Sequence, residues 1–160
     1  ALFLVKESLN KNQKALLAEL AAKGCTFTIL GGEKAVTPAM ADLIRAEVGD
    51  ALASERIAGS TRYRTSAILA ERYFPNAWSI VLATGQDYPD GLCGGPLGAL
   101  RGAPIVLTRA GQEKAARDYA SVHRIQAGVV LGGPKIISDE MARSILGLDE
   151  SVEVTEMFYK

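Results

Sequence analysis

The chain has 160 residues, 48% hydrophobic and 22% charged, enough apolar material for a self-sufficient core. Eighteen Lys and Arg cancel eighteen Asp and Glu, so no global basic field exists to concentrate nucleic acid. One Trp, five Tyr and four Phe leave few stacking platforms, and no apolar run approaches the roughly 20 residues of a membrane span.

In chain order, short apolar runs alternate with helical patterns. Residues 2–5 (LFLV) are predicted as the first strand, and Leu9, Leu16, Leu17 and Leu20 form the stripe of an amphipathic helix. Residues 26–30 are the next strand and end on Gly31-Gly32. Thr37-Pro38 then opens a helix, with a hydroxyl N-cap before proline at the first helical position. Residues 56–58 form a short strand, and Tyr63, Ala67, Ala70 and Phe74 follow at helical spacing. Further strands are predicted at 79–83, 104–108, 128–131 and 152–155. Ala115, Tyr119 and Val122 mark one more helix, and Ser138 caps another. The strands are continuous rather than alternating, as expected when both faces are covered. The fold class is α/β, a mostly parallel sheet with helices on both faces.

The chain also repeats itself. Residues 27–44 overlay 128–145 at an offset of 101, with identities at Leu30/Leu131, Gly31/Gly132, Gly32/Gly133, Lys34/Lys135, Met40/Met141, Ala41/Ala142 and Ile44/Ile145. The unit strand–helix–strand–Gly–Gly–helix therefore occurs twice, and the segment from about Glu55 to Gly102 occurs once. The order is second half, first half, second half of a repeat. A piece of a larger protein is expected.

Each Gly-Gly turn leads from a strand into a helix and admits two readings: close packing, or an anion at the helix N-terminus. GxGxxG and GxxxxGK[ST] are both absent. Asp90, after Tyr88-Pro89, is expected as a helix N-cap; the alternative is an Asp87/Asp90 carboxylate pair for acid–base work or cation binding. Gly94, Gly95 and Gly98 inside a helix cost about 1 kcal/mol each relative to alanine, so very close contact with a sheet or helix is expected there. Arg56, Arg62 and Arg64 flank one strand-to-helix turn around Gly59. Their forked donors suit a phosphate- or carboxylate-bearing polymer; the alternative is salt bridging with groups such as Glu55 and Glu71.

Cys25 and Cys93, far apart, exclude a CxxC pair and a cysteine zinc site; two buried free thiols are expected, with one long-range disulfide as the alternative. His123 is the only histidine, and neither HExxH nor GxSxG occurs, so it is expected at a surface or helix end. Trp78 is expected as a packing anchor. No catalytic residue, metal site or cofactor is assigned.

Three stretches occur in fixed order: RIAGSTRYRTSAILAERYF (56–74), VLATGQDYPDGLCGGPLGALRGAPIVLT (81–108) and VVLGGPKIISDEM (129–141). Through them the chain resembles the type 2 cell-wall-binding repeat, with its R-x-x-G-x-x-R-Y-x-T, D-x-L-x-x-x-P-L-A, G-A-P-I-L-L-T and L-G-G motifs. The resemblance covers residues 55–147 as one complete repeat and residues 1–50 as the second half of a preceding one, leaving 148–160 as a C-terminal strand or extension. It implies a Rossmann-like α/β fold and a non-catalytic module of secreted surface proteins of Gram-positive bacteria. Such modules occur in tandem copies, assemble with threefold or pseudo-threefold symmetry, and bind an anionic secondary cell-wall polymer. They bind no nucleic acid and span no membrane, and a signal peptide is expected outside this segment.

The motif positions fall on Arg56, Gly59, Arg62, Tyr63, Thr65, Asp90, Leu92, Pro96, Leu97, Gly132 and Gly133, with Gly31 and Gly32 as counterparts in the half repeat. Arg56, Arg62 and Arg64 are the candidate polymer-binding residues, and the others are expected to be structural. The chain departs from the pattern where an alanine-rich stretch becomes Gly91, Cys93, Gly94, Gly95 and Gly98. At the other end, Met157 stands opposite Arg56, so no further arginine–glycine motif begins. Self-association through the half repeat is expected, or folding of residues 1–50 onto the once-only segment. Two other classes compete with wall binding: an α/β nucleotide-binding or hydrolase domain, and a purely structural or oligomerising repeat.

Overall fold

In the computed structural model, residues 2–149 and Ser151 are described; the strand expected at 152–155 lies outside them. The chain divides into one unit up to Ser60 and a second from Thr61 onward.

The first unit is built on two helices. Asn10 caps α1 (Lys11–Ala22) and forms a reciprocal pair with Gln13: each side chain accepts the other's backbone N–H at 2.9 Å. In α2 (Pro38–Val48), Pro38 stands in the first turn and the Thr37 hydroxyl accepts the Met40 N–H at 3.2 Å. A single 3-10 turn, Gly49–Ala51, follows. Leu9, Leu17, Val36, Met40, Ile44, Val48 and Leu52 form the core, while Leu16, expected in the α1 stripe, is 43% exposed.

The strands expected at 2–5, 26–30 and 56–58 do not form a sheet. Among the described residues only two parallel bridges join this region, Phe27 with Leu52 and Leu30 with Ile57. The duplication supplies the reason: the segment holding the central strand occurs once in the chain and lies in the second unit. Without it, residues 2–5 have no ladder to join, although Phe3 and Val5 still pack on the core.

The second unit has that central strand. β1 (Ser79–Thr84), β2 (Ile105–Thr108) and β3 (Ala127–Val130) are parallel in the order β2-β1-β3, with Val81 opposite both Ile105 and Val129. Every residue of β1 is buried. α3 (Arg62–Tyr73), α5 (Lys114–His123) and α6 (Asp139–Leu146) bury Ile80, Leu82 and Val106 beneath Ala67, Ala70, Tyr119 and Ile145. The alternate residue Val81 meets α4 (Pro89–Arg101), where a methyl added to Gly94 would lie 3.6 Å from Val81 Cγ1, 3.2 Å from Ile105 Cδ1 and 2.5 Å from Leu131 Cδ1. Helices cover both faces. This is the expected α/β, Rossmann-like class, and none of the helices among the described residues is long and apolar enough to cross a membrane.

The duplication extends to backbone geometry. Gly31 at φ +110° and Gly132 at φ +105° turn the chain through the left-handed region that side chains disfavour. The Ser138 hydroxyl then accepts the Met141 N–H at 3.2 Å, as Thr37 does for Met40.

Several side chains depart from expectation. Gly94 and Gly98 lie in close contact, the latter with the Ala103 carbonyl 2.7 Å from an added methyl, but Gly95 faces open space. Cys25 and Cys93 are free and exposed: one follows the end of α1 and the other sits on the outer side of α4. Trp78 is 58% exposed, its carbonyl rather than its ring being engaged, with the Gln126 N–H. Val122 is 75% exposed because the inward face of α5 runs through Ala116, Tyr119 and Ala120. His123 ends α5 as expected, with Nδ1 3.0 Å from the Pro75 carbonyl.

Gly95→Ala is therefore predicted to raise stability by about 1 kcal/mol through helix propensity, whereas Gly98→Ala lowers it, as chemical denaturation will measure. Burial, reinforced by the Glu71 charge, pushes the Tyr119 phenol from 10.0 up to about 12. The folded state holds this proton after the unfolded state has lost it, so stability falls as pH rises from about 10 to about 12. Ultraviolet titration is expected to show the Tyr119 phenolate appearing late, a step lost in Tyr119→Phe.

Candidate functional site

Ligands of open α/β sheets gather beyond the carboxyl ends of the strands. In the second unit that edge holds a cleft of about 410 Å³, lined among others by Arg62, Gly85, Gln86, Asp87 and Leu92. Its geometry starts from Gly85, directly after β1. A methyl there would overlap Tyr63 Cε1 and lie 3.2 Å from Arg62 Cδ, so the first turn of α3 presses directly on this turn. The Thr61 hydroxyl starts that helix by accepting the Arg64 N–H at 3.2 Å.

The structure sorts the three candidate arginines. Arg56 belongs to the first unit, where its guanidinium donates to the Gly31 carbonyl at 3.1 Å and the Val36 carbonyl at 2.8 Å. Hydrogen bonds from charged groups contribute about 1.5–3 kcal/mol each, so these two hold Arg56 as a brace for the Gly31 turn. Arg64 pairs with Glu71 at 2.9 Å, with both side chains more than a third exposed. Such a pair contributes about 0.2–1 kcal/mol and is readily exchanged for another anion. Arg62 donates to the Gly85 carbonyl at 2.5 Å, has no carboxylate partner among the described residues and lines the cleft.

The remaining motif residues separate into packing and exposed positions. Tyr63 is buried under Gly85, and the Thr65 hydroxyl donates to the Thr61 carbonyl at 3.0 Å. Gly59 lies in the first unit. On α4, Leu97 is half-buried, whereas Leu92 is 63% exposed and Pro96 is exposed too.

Asp90 is not the N-cap. Tyr88 holds that position without a side-chain bond, because Pro89 begins α4 two residues early and sets Asp90 inside the first turn. There Asp90 Oδ2 lies 2.7 Å from where a side chain on Gly132 would begin. A carboxylate already faces the Gly132-Gly133 turn, which disfavours a second anion and supports the packing reading. Gly32 and Gly133 have open space around them. Asp87 instead accepts the Tyr88 N–H at 2.8 Å, so the two carboxylates are turned to different partners. No group of three or more metal-ligating side chains exists among the described residues.

One cation escaped the sequence reading. Arg109 directly follows β2, with its Cζ 5.8 Å from the centroid of the Tyr63 ring. The signal for it was positional: it is the first residue past a strand, at the edge where α/β proteins bind ligands.

The cell wall binding domain 2 (CWB2) family matches residues 56–142, more than half of the chain. The chain belongs to this family and is a cell-wall-binding module. Two solved structures from Clostridium difficile are similar to it. Cwp8 is 26% identical with a TM-score of 0.61, over 88% of this chain and 24% of its own. Cwp6, 19% identical, shares the fold at a TM-score of 0.69 over 87% of this chain and 22% of its own. The chain thus spans about a quarter of the length of these relatives. No curated protein matches it.

Arg56→Ala, which removes two such bonds, is expected to lower the melting temperature more than Arg62→Ala, which removes one at an exposed side chain. Circular dichroism melts read both.

Proposed function

We propose that this chain is a non-catalytic module that holds a secreted surface protein on a Gram-positive cell wall by binding an anionic secondary wall polymer. Family membership supports the wall, and the Cwp8 likeness supports the surface location. Arg62 carries the polymer part of the reading: an exposed guanidinium without a carboxylate partner among the described residues, at a cleft on the strand-end edge. Arg64 is a second contact, released from Glu71 at little cost.

Within this reading, residues 55–147 are the complete repeat and 1–50 the second half of its predecessor, with 148–160 an extension. Each repeat presents one strand-end edge. Weak binding at each edge sums to tight retention when copies stand together, in one chain or by self-association with threefold symmetry. Zero net charge fits such local recognition.

Co-sedimentation with purified walls tests the proposal, before and after chemical removal of the secondary polymer and across a salt series. Polymer-dependent retention that weakens with salt, and falls about tenfold in Arg62→Ala, is the expected result. Equal retention on stripped walls would sink the polymer reading.

A further inference from the structure

We infer that Tyr88 and Gly91 form, in the cleft that Arg62 lines, a subsite for one sugar ring of the wall polymer. The inference rests on the polymer reading above and assigns the ring-binding part of the same cleft, with Arg62 taking the anionic group.

The cleft is larger than an anion needs. Its volume of about 410 Å³ falls within the roughly 300–1,000 Å³ of small-molecule sites, against about 30 Å³ for a water molecule. Its apolar lining includes the half-buried Ile105 and Leu107 of β2. Tyr88 also lines it and is 73% exposed, so core packing does not hold the ring there. Nor does helix capping explain this residue. Tyr88 is the N-cap of α4 but makes no side-chain bond, where a serine or aspartate would stabilise the helix.

Gly91 is the second position that the fold leaves unexplained. It lies inside α4, where glycine costs stability relative to alanine. Its φ is outside the left-handed region, and a Cβ there meets nothing within 4 Å. Gly94 and Gly98 on the same helix are fixed by close contact, and Gly95 is not part of the cleft. Gly91 lines it, and its missing side chain keeps that wall open.

These groups match the two sides of a sugar. The C–H face of a ring packs on an exposed aromatic and aliphatic side chains, while its hydroxyls need polar partners. Asp87 supplies an acceptor: one oxygen takes the Tyr88 N–H at 2.8 Å, which leaves the other for a hydroxyl. Arg62 commits one nitrogen to the Gly85 carbonyl and keeps the rest of its fork for a phosphate or carboxylate. One cation against one carboxylate leaves the lining near neutral. That balance suits a ring bearing a single anionic group rather than a dense run of charges.

The test is saturation-transfer nuclear magnetic resonance between the full chain and purified secondary wall polymer, irradiating the protein's aromatic protons. Wild-type protein is expected to pass saturation to ring C–H protons of the polymer, and Tyr88→Ala to lose that transfer. In titration calorimetry, Gly91→Leu is expected to weaken polymer binding about tenfold by narrowing the cleft. Gly95→Leu, on the same helix outside the cleft, is expected to bind as wild type does. Circular dichroism checks that each variant folds. Polymer that binds without passing saturation to any ring proton overturns the inference and leaves the polymer reading standing. Unchanged binding by both Tyr88→Ala and Gly91→Leu does the same. No binding of the polymer to wild-type protein is the separate failure of that reading, and the inference falls with it.

Discussion

No side chain fits at Gly85. Tyr63 Cε1 and Arg62 Cδ both lie closer to its missing Cβ than ordinary packing allows, and that contact fixes where α3 begins relative to the sheet. The rest of the strand-end edge follows from it. Tyr63 is buried against the turn, Arg62 bonds the Gly85 carbonyl, and the Gly85 N–H ties the end of β2, and with it Arg109, to the end of β1. A buried aromatic and a bare backbone turn thereby hold Arg62 at the end of β1. The fold supplies the rigidity, and Arg62 supplies the charge.

The second constraint is the left-handed glycine that follows the second apolar run in each copy of the duplicated unit. Gly31 and Gly132 turn the chain the same way into a helix capped by a hydroxyl, but their surroundings have diverged. In the first unit Arg56 braces the turn through two carbonyls; in the second, the Asp90 carboxylate stands beside it. Neither turn presents a free anion cradle. In the proposed reading, charge recognition falls to the side chains at the strand ends.

Much of this was legible in the chain. The three strands of the second unit fall within one residue of their expected ends, and the Thr37-Pro38 and Ser138 caps form as their residue types dictate. These signals are local, so sequence carries them. The first unit's strands were misread because apolar runs report burial, not partners: a strand-like segment without its central strand forms only isolated bridges. Asp90 lies inside the first turn rather than at the cap because Pro89 starts α4 earlier than the carboxylate suggests. Val122 and Trp78 were assigned inward on apolarity alone, but the helix phase and the strand entry turn them outward. The three arginines looked equivalent because their competing partners, two carbonyls for Arg56 and Glu71 for Arg64, are visible only in three dimensions. Arg109 is marked in the sequence only by its place one residue past β2.

The central claim is that the polymer meets this protein at the strand-end edge of the second unit. Hydrogen–deuterium exchange with and without purified secondary wall polymer tests it most directly. The account predicts slowed exchange in residues 61–63, 84–88 and 108–110, with α6 and the far ends of the strands unchanged. Protection confined to other surfaces, with those three segments exchanging as before, would contradict it.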